Sequence, residues 1–321
     1  MRNLYIVGTV PASSFTGGVS IHVKRLLDAM DAHMVSYQFV DYKKIGVKKA
    51  LLFLITHKGV VHIHATHPVL ILMFILTSKA IGSTCILTLH ADYDRFDSWK
   101  KLFVKIALRL ADVPILINKR TFLKFKSANT NSLLIPAFIP PYKEIDLQEC
   151  ITKKIQELKD KGLTIVSTNA SRLSFDKHGN EIYGITFLTK YFKDKNEYAL
   201  VISDPQGVYK QRIREIGENI VFIDFSHSYF PLLKLVDIFV RNTSTDGDAL
   251  SVKESLFLGK TTLCTDAVDR PNGVLLFSYN DEASFSKAMT AAKEMLGCNH
   301  KHNIQDGAIE IIRLYQKMTT V

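Results

Sequence analysis

The sequence predicts an α/β protein built from two doubly wound parallel sheets. Three observations carry that expectation. Short apolar runs alternate with helical patterns from end to end. The runs are rich in Val, Ile and Leu and largely unbroken by polar residues, as in strands buried on both faces of a parallel sheet. Eleven such runs are too many for one comfortable sheet in 321 residues, so two domains are the economical solution.

In chain order, strands are expected at residues 4–8, 35–40, 60–64, 85–90, 113–118 and 132–136, then at 163–167, 199–203, 220–224, 238–241 and 262–265. Between the first two, Val19, Val23, Leu26, Leu27 and Met30 recur at helical spacing, which predicts a helix with one apolar stripe. The segment Ile135-Pro-Ala-Phe-Ile-Pro-Pro141 places three prolines in seven residues, which ends regular structure and marks the domain boundary. The expected organisation is an N-terminal domain at 1–140, a second at 141–300 opening on a charged helix at 151–161, and a last segment, 301–321, whose helical pattern at 308–318 packs back across the hinge.

Composition narrows the function. Hydrophobic content of 47% and charged content of 22% fit a globular protein with a real core. Cys85, Cys150, Cys264 and Cys298 are widely spaced with no C-x-x-C, which points to reduced thiols rather than a disulfide framework or zinc ribbon. The N-terminus runs directly into a buried strand without a cleavage region, and the longest apolar run, 69–76, is far short of the ~20 residues needed to span a bilayer. The expectation is a cytoplasmic protein, soluble or peripheral on a membrane. The net charge of +10 is uneven: residues 1–140 hold 18 Lys/Arg against 7 Asp/Glu, residues 141–321 hold 23 against 24. Lys43, Lys44, Lys48 and Lys49 form one basic cluster and Lys119, Arg120, Lys124 and Lys126 another. A basic first half suits an anionic partner, a charged lipid surface or a lipid-linked diphosphate. Nucleic acid is not expected, because no recognition motif accompanies the charge.

The most informative stretch is Arg241-Asn-Thr-Ser-Thr-Asp246-Gly247-Asp248-Ala249-Leu250-Ser-Val-Lys-Glu254. It puts a carboxylate and a glycine turn at the mouth of a helix and a second carboxylate about two turns in, eight residues on. Free N–H groups at that helix start suit a diphosphate, while the carboxylates suit hydroxyl groups beside it. Arg172 and Lys177 follow the first strand of the second half, where a guanidinium fork and a point charge can hold a pyrophosphate; the alternative is a surface pair of Lys177 with Asp176 or Glu181. Gly17-Gly18 opens the first helix after strand one, where glycines let a ligand approach the backbone. Neither G-x-G-x-x-G nor a P-loop accompanies it, which counts against NAD, FAD and NTPase chemistry. His90 ends a strand at the edge that faces the ligand crevice in such sheets. Asp92-x-Asp94 and Asp246-x-Asp248 have the form of a D-x-D metal clamp, a common chance pattern and a minority reading here. His62, His64 and His67 have no acidic or cysteine ligand nearby in sequence and are expected as cleft-lining or core residues rather than a metal cluster. Arg270, in the turn-rich loop after the 262–265 run, is a candidate additional charge.

Together these motifs resemble the retaining GT-B glycosyltransferases of glycosyltransferase family 4, with the order and spacing agreeing from residue 1 to about residue 280. That family's E-x7-E segment is matched by Asp246 to Glu254, its Arg-x4-Lys pair by Arg172 and Lys177, its Gly-Gly loop by Gly17 and Gly18, and its cleft histidine by His90. The first acidic position is Asp here, one methylene shorter than Glu. The resemblance implies a GT-B architecture of two Rossmann-like domains facing a cleft, and a role for each residue. Glu254 would hold the donor ribose; Asp246 and the backbone of Gly247, Asp248, Ala249 and Leu250 would position the transferred sugar. Arg172 and Lys177 would neutralise the leaving diphosphate, Gly17 and Gly18 would approach it, and His90 would contact the sugar. It also implies a UDP-linked donor, retention of anomeric configuration, and no metal or other cofactor.

The acceptor is expected to be a saccharide, lipid-linked, extended at the inner face of a bacterial membrane for a surface polysaccharide such as lipopolysaccharide or capsule. The alternatives are a nucleotide-sugar epimerase or sugar phosphorylase of the same architecture, and a non-catalytic sugar-nucleotide-binding subunit.

Overall fold

A computed structural model of the chain describes residues 2–11, 18–91, 93–143, 145–170, 172–246, 249–297, 302 and 304–320. The chain divides into two compact units, Met1–Lys143 with Gln305–Val321, and Glu144–Ile304.

The first unit is a six-stranded parallel sheet of β1 (Leu4–Gly8), β2 (Gln38–Asp41), β3 (Val60–Ile63), β4 (Thr84–Leu89), β5 (Val113–Leu116) and β6 (Leu133–Leu134), in the order β2-β1-β3-β4-β5-β6. Order reverses between β1 and β3, and a reversal of this kind opens the ligand crevice at the carboxyl ends of the strands. Apolar cores lie on both faces. One is made with the helices Val47–Thr56, Pro68–Ala80 and Ser98–Leu110, the other with Gly18–Ala32 and Gly307–Thr319.

Several boundaries differ from the expected ones for local reasons. The second strand begins at Gln38 rather than residue 35, because Val35 N–H caps the preceding helix on Met30 O (2.9 Å) with Met34 at φ 54°. Asn118 leaves β5 to cap the next helix, accepting from Thr121 N–H at 2.8 Å. β6 stops after two residues, just before Ile135-Pro136. The terminal helix Gly307–Thr319 belongs to the first unit, where Ala308, Ile311, Ile312 and Tyr315 pack with Leu4, Ile6, Leu26 and Met30. Its start is pinned to the proline-rich segment: Gly307 N–H donates to Phe138 O (2.9 Å), and Asp306 caps Ala308 N–H (2.8 Å) while accepting from the Tyr142 hydroxyl (2.6 Å).

The second unit carries β7 (Thr164–Asn169), β8 (Tyr198–Ser203), β9 (Ile220–Ile223), β10 (Ile238–Arg241), β11 (Thr261–Thr265) and β12 (Leu275–Phe277), all parallel, in the order β12-β11-β10-β7-β8-β9. Here the switch point lies between β7 and β10. β12 is the strand the sequence pattern missed. It is three residues long and half-exposed, so neither length nor burial gives it a signature.

Candidate functional site

The β7/β10 switch point joins the two motifs that sequence spacing keeps about seventy residues apart. β7 ends at Asn169 and leads into the Arg172–Lys177 loop; β10 ends at Arg241 and leads through Asp246 to the helix Leu250–Phe257. They meet through Arg241, whose Nη1 donates to both the carbonyl and the side-chain oxygen of Asn169 (3.1 Å each). The other edge of that guanidinium grips Asp246, Nε to Oδ2 at 2.9 Å and Nη2 to Oδ1 at 3.2 Å, and its face lies 4.9 Å from the Tyr183 ring centroid. Arg270 closes the other side, donating from Nη1 to Asp246 Oδ2 (3.1 Å), from Nη2 to Thr243 Oγ1 (2.9 Å) and from Nε to Thr265 O (3.0 Å).

Asp246 is therefore a carboxylate between two buried guanidiniums. Burial pushes its pKa up, but Arg241 and Arg270 outweigh that and hold it below the ordinary carboxylate range. The sequence reading gave Asp246 to the ligand; the structure shows that it also organises the arginines around it. Arg241 was visible only as the start of the motif, and Arg270 only as a loop charge 24 residues further on. Nothing in the local pattern says that both converge on one carboxylate.

Ala249 precedes the helix and places no side-chain cap over its first N–H groups, as an anion site at a helix start requires. Ala249 and Leu250 are half-buried at that entrance, and Glu254 is buried one turn further in. Gly247 and Asp248 lie outside the described residues.

Arg172 and Lys177 are exposed, and among the described residues neither forms an ion pair. The surface-pair alternative for Lys177 fails because its two candidate partners are otherwise engaged. Asp176 accepts from His178 N–H (2.8 Å) and Asn180 N–H (3.0 Å). Burial works to raise its pKa, and these hydrogen bonds bring it down to about 2. Glu181 caps the next helix, accepting from Ile185 N–H at 2.5 Å and Thr186 Oγ1 at 2.6 Å. The loop is thus a tight turn closed by the Phe175–Glu181 bridge, with Gly179 at φ +81° and Lys177 at its tip.

In the first unit, His64 and His90 immediately follow β3 and β4 beside the β1/β3 switch point, and His22 comes from the first helix. The His64 Nδ1 and His90 Nε2 atoms are 3.0 Å apart. His62 is a core residue: its Nδ1 meets the Tyr315 hydroxyl and its Nε2 the Thr88 hydroxyl at 2.7 Å. His67 is exposed at the start of the Pro68–Ala80 helix. Gly8 ends β1 where an added Cβ would meet Val23 at 3.2 Å and His64 Cβ at 3.4 Å, so glycine lets the first helix approach β3. Gly18 is exposed at that helix's first residue; Gly17 lies outside the described residues. His22 was missed in the sequence because it sits inside an apolar stripe.

The D-x-D reading finds no support in its described members. Asp94 pairs with Lys124 (2.7 Å) and Arg120 (3.2 Å), and Asp246 is flanked by arginines, surroundings that repel a divalent cation; Asp92 and Asp248 lie outside the described residues. The thiols of Cys85 and Cys264 are each pushed up to about 12 by burial, which removes them as nucleophiles. No helix among the described residues is long and apolar enough to cross a membrane.

Two parallel six-stranded α/β sheets, each with polar residues gathered at its switch point, define a GT-B fold. No known sequence family matches the chain, and no curated protein matches it. Solved structures do. The chain is similar to Anabaena Alr3699/HepE in complex with UDP and glucose, at TM-score 0.70 and 11% identity over 100% of both chains. It is similar to sucrose-phosphate synthase from Thermosynechococcus elongatus, at TM-score 0.67 and 14% identity over 99% of this chain and 100% of that one. The catalytic domain of Arabidopsis thaliana starch synthase IV, bound to ADP and acarbose, aligns at TM-score 0.61 and 10% identity over 100% of both. These neighbours are GT-B glycosyltransferases.

Proposed function

We propose that the protein is a glycosyltransferase that moves a sugar from a UDP-linked donor to a saccharide acceptor with retention of anomeric configuration. The observation that carries this reading is the β7/β10 switch point, where Arg172 and Lys177, without an ion pair among the described residues, a helix start on which Ala249 places no side-chain cap, and two carboxylates lie on adjoining elements. HepE has been crystallised with UDP-glucose as well as with UDP, which supports the donor class.

In this reading Arg172 and Lys177 neutralise the leaving diphosphate, and the N–H groups at Ala249 and Leu250 take its oxygens. Glu254 holds the ribose, and Asp246, fixed by its two arginines, orients the sugar together with the backbone of Gly247 and Asp248. The resemblance assigns Gly17 and Gly18 to the diphosphate and His90 to the sugar; His90 Nε2 faces His64 at 3.0 Å, which leaves Nδ1 as the nitrogen for a ligand. Catalysis is then positioning plus stabilisation of charge developing on the departing phosphate, which also takes the acceptor's proton. The cations supply that stabilisation, so no metal is needed at the diphosphate.

The acceptor is lipid-linked and the enzyme works on an anionic membrane surface, in surface-polysaccharide synthesis. In support, three helices packed side by side expose Leu52 and Ile55, Met73 and Leu76, and Trp99, Leu102 and Ile106, with Lys48, Lys49 and Lys105 exposed among them. The test is a UDP-release assay over nucleotide sugars, with and without lipid-linked and free saccharides. Acceptor-dependent UDP release with an α-linked product from an α-linked donor supports the proposal. Product from donor alone identifies an epimerase, and donor binding without turnover on any acceptor identifies a binding subunit; either result overturns it.

A further inference from the structure

His22, His64 and His90 come from three separate elements, yet one ring nitrogen of each lies within 4.8 Å of the others. Their rings form a compact trio, with centroids 4.7 Å apart for His22–His90, 5.3 Å for His64–His90 and 5.5 Å for His22–His64. A buried polar trio of this kind normally satisfies itself by hydrogen bonding, and this one does not. His22 Nε2 is buried with no hydrogen-bond partner, as is His64 Nε2 on the far side of its ring from the His90 contact, and an orphan such as His22 Nε2 calls for a bound water, an ion or a chemical role.

We propose that the first unit binds a divalent transition-metal ion of the zinc class through His22, His64 and His90. The donor chemistry fits, since imidazole nitrogen is a standard zinc ligand and three histidines with one open position form a known site type. The spacing fits as well. Zn–N bonds of about 2.0–2.1 Å in a tetrahedron separate ligand nitrogens by roughly 3.3–3.4 Å. His64 Nδ1 and His90 Nε2, at 3.0 Å, are already near that value, and the widest pair has at most about 1.5 Å to close.

Orientation is also preset. Metal-bound histidines donate their second N–H to a backbone carbonyl or carboxylate, which fixes the tautomer. His22 does this, its Nδ1 donating to Ala137 O at 2.8 Å and leaving the Nε2 lone pair directed inward. Without an ion, His64 and His90 share one proton across their contact; on binding, that proton moves to the outer nitrogen of its own ring. His90 is half-buried, the most accessible member of the trio. The site goes beyond the transferase reading and does not depend on it.

The full-length protein, stripped with a chelator and dialysed, is titrated with Co2+ under visible absorption and then challenged with Zn2+. The expected result is one Co2+ per chain with tetrahedral d–d bands, displaced stoichiometrically by Zn2+. His90→Ala, at the half-buried position, should weaken binding by more than the about 10–100-fold that loss of an outer-shell partner causes. His22→Ala should do the same, and His67→Ala, at an exposed histidine outside the trio, should leave it unchanged. No tetrahedral Co2+ signal in the wild type overturns the proposal, as does equal affinity in folded His90→Ala.

Discussion

Replacing Asp246 by Asn tests the arrangement at the β7/β10 switch point. The change keeps the side-chain volume and removes one negative charge from between Arg241 and Arg270, whose side chains are 9% and 3% exposed. Leaving buried charge uncompensated in this way costs about 3–5 kcal/mol. For a unit of this size, where 1 kcal/mol shifts Tm by about 2–4 °C, the expected fall is roughly 6–20 °C. pH dependence supplies a second readout. The folded-state pKa of Asp246 lies below its unfolded value of about 3.9, so its stabilisation is complete above that value and is lost as pH falls through the folded pKa. Asp246→Asn should therefore lose most stability near neutral pH, with the gap from wild type narrowing in acid. Calorimetric melts of both proteins from neutral to strongly acid pH measure this. A Tm change below about 2 °C at neutral pH, or a gap that does not vary with pH, would refute the claim that the two guanidiniums depend on this carboxylate.

Two further outcomes are expected. Gly307→Ala places a Cβ 2.2 Å from Pro136 O, a backbone atom that cannot swing away; the terminal helix must shift, at about 1–3 kcal/mol, lowering the urea midpoint with little change in m. An unchanged midpoint would show that the helix start is not held against the proline-rich segment. In co-sedimentation at low salt, the protein should favour anionic over neutral vesicles. Removing Lys48 and Lys49 together should weaken partitioning by roughly thirtyfold, at about 1 kcal/mol per basic side chain, and equal binding to both vesicle types would sink the membrane proposal.

The fold was legible because parallel strands buried on both faces leave an unmistakable apolar alternation, as at residues 4–8 and 198–203, where every strand residue is buried. What escaped was weakly buried or diverted by a cap. The three-residue β12 has no pattern to read, and Val35 and Asn118 leave their strands to satisfy helix ends. The site divides in the same way. Arg172, Lys177, Asp246 and Glu254 were visible because fixed spacings after strands put them on one sheet edge. The partnership of Arg241, Arg270 and Asp246 was not visible, since it depends on β11 lying beside β10 and returning residue 270 to the same edge. The histidine trio was hidden for a related reason. His62, His64 and His67 stand together in sequence, but only His64 joins the cluster; the other two members arrive from the first helix and from β4.

The central claim is that the switch point of the second unit holds a nucleotide-sugar donor, and a thermal-shift titration with UDP-sugars tests it most directly. At one hundred times Kd, a donor that binds only the folded state adds about 2.7 kcal/mol, or roughly 5–11 °C for a unit of this size. Arg172→Ala and Glu254→Ala should each lose about 1.5–3 kcal/mol of donor binding, the value of a hydrogen bond to a charged group, so the same concentration stabilises them by only about 0.3–1.3 kcal/mol, at most about half the wild-type shift. A folded wild type unmoved by any UDP-sugar, or variants that shift as far as the wild type does, would contradict the account.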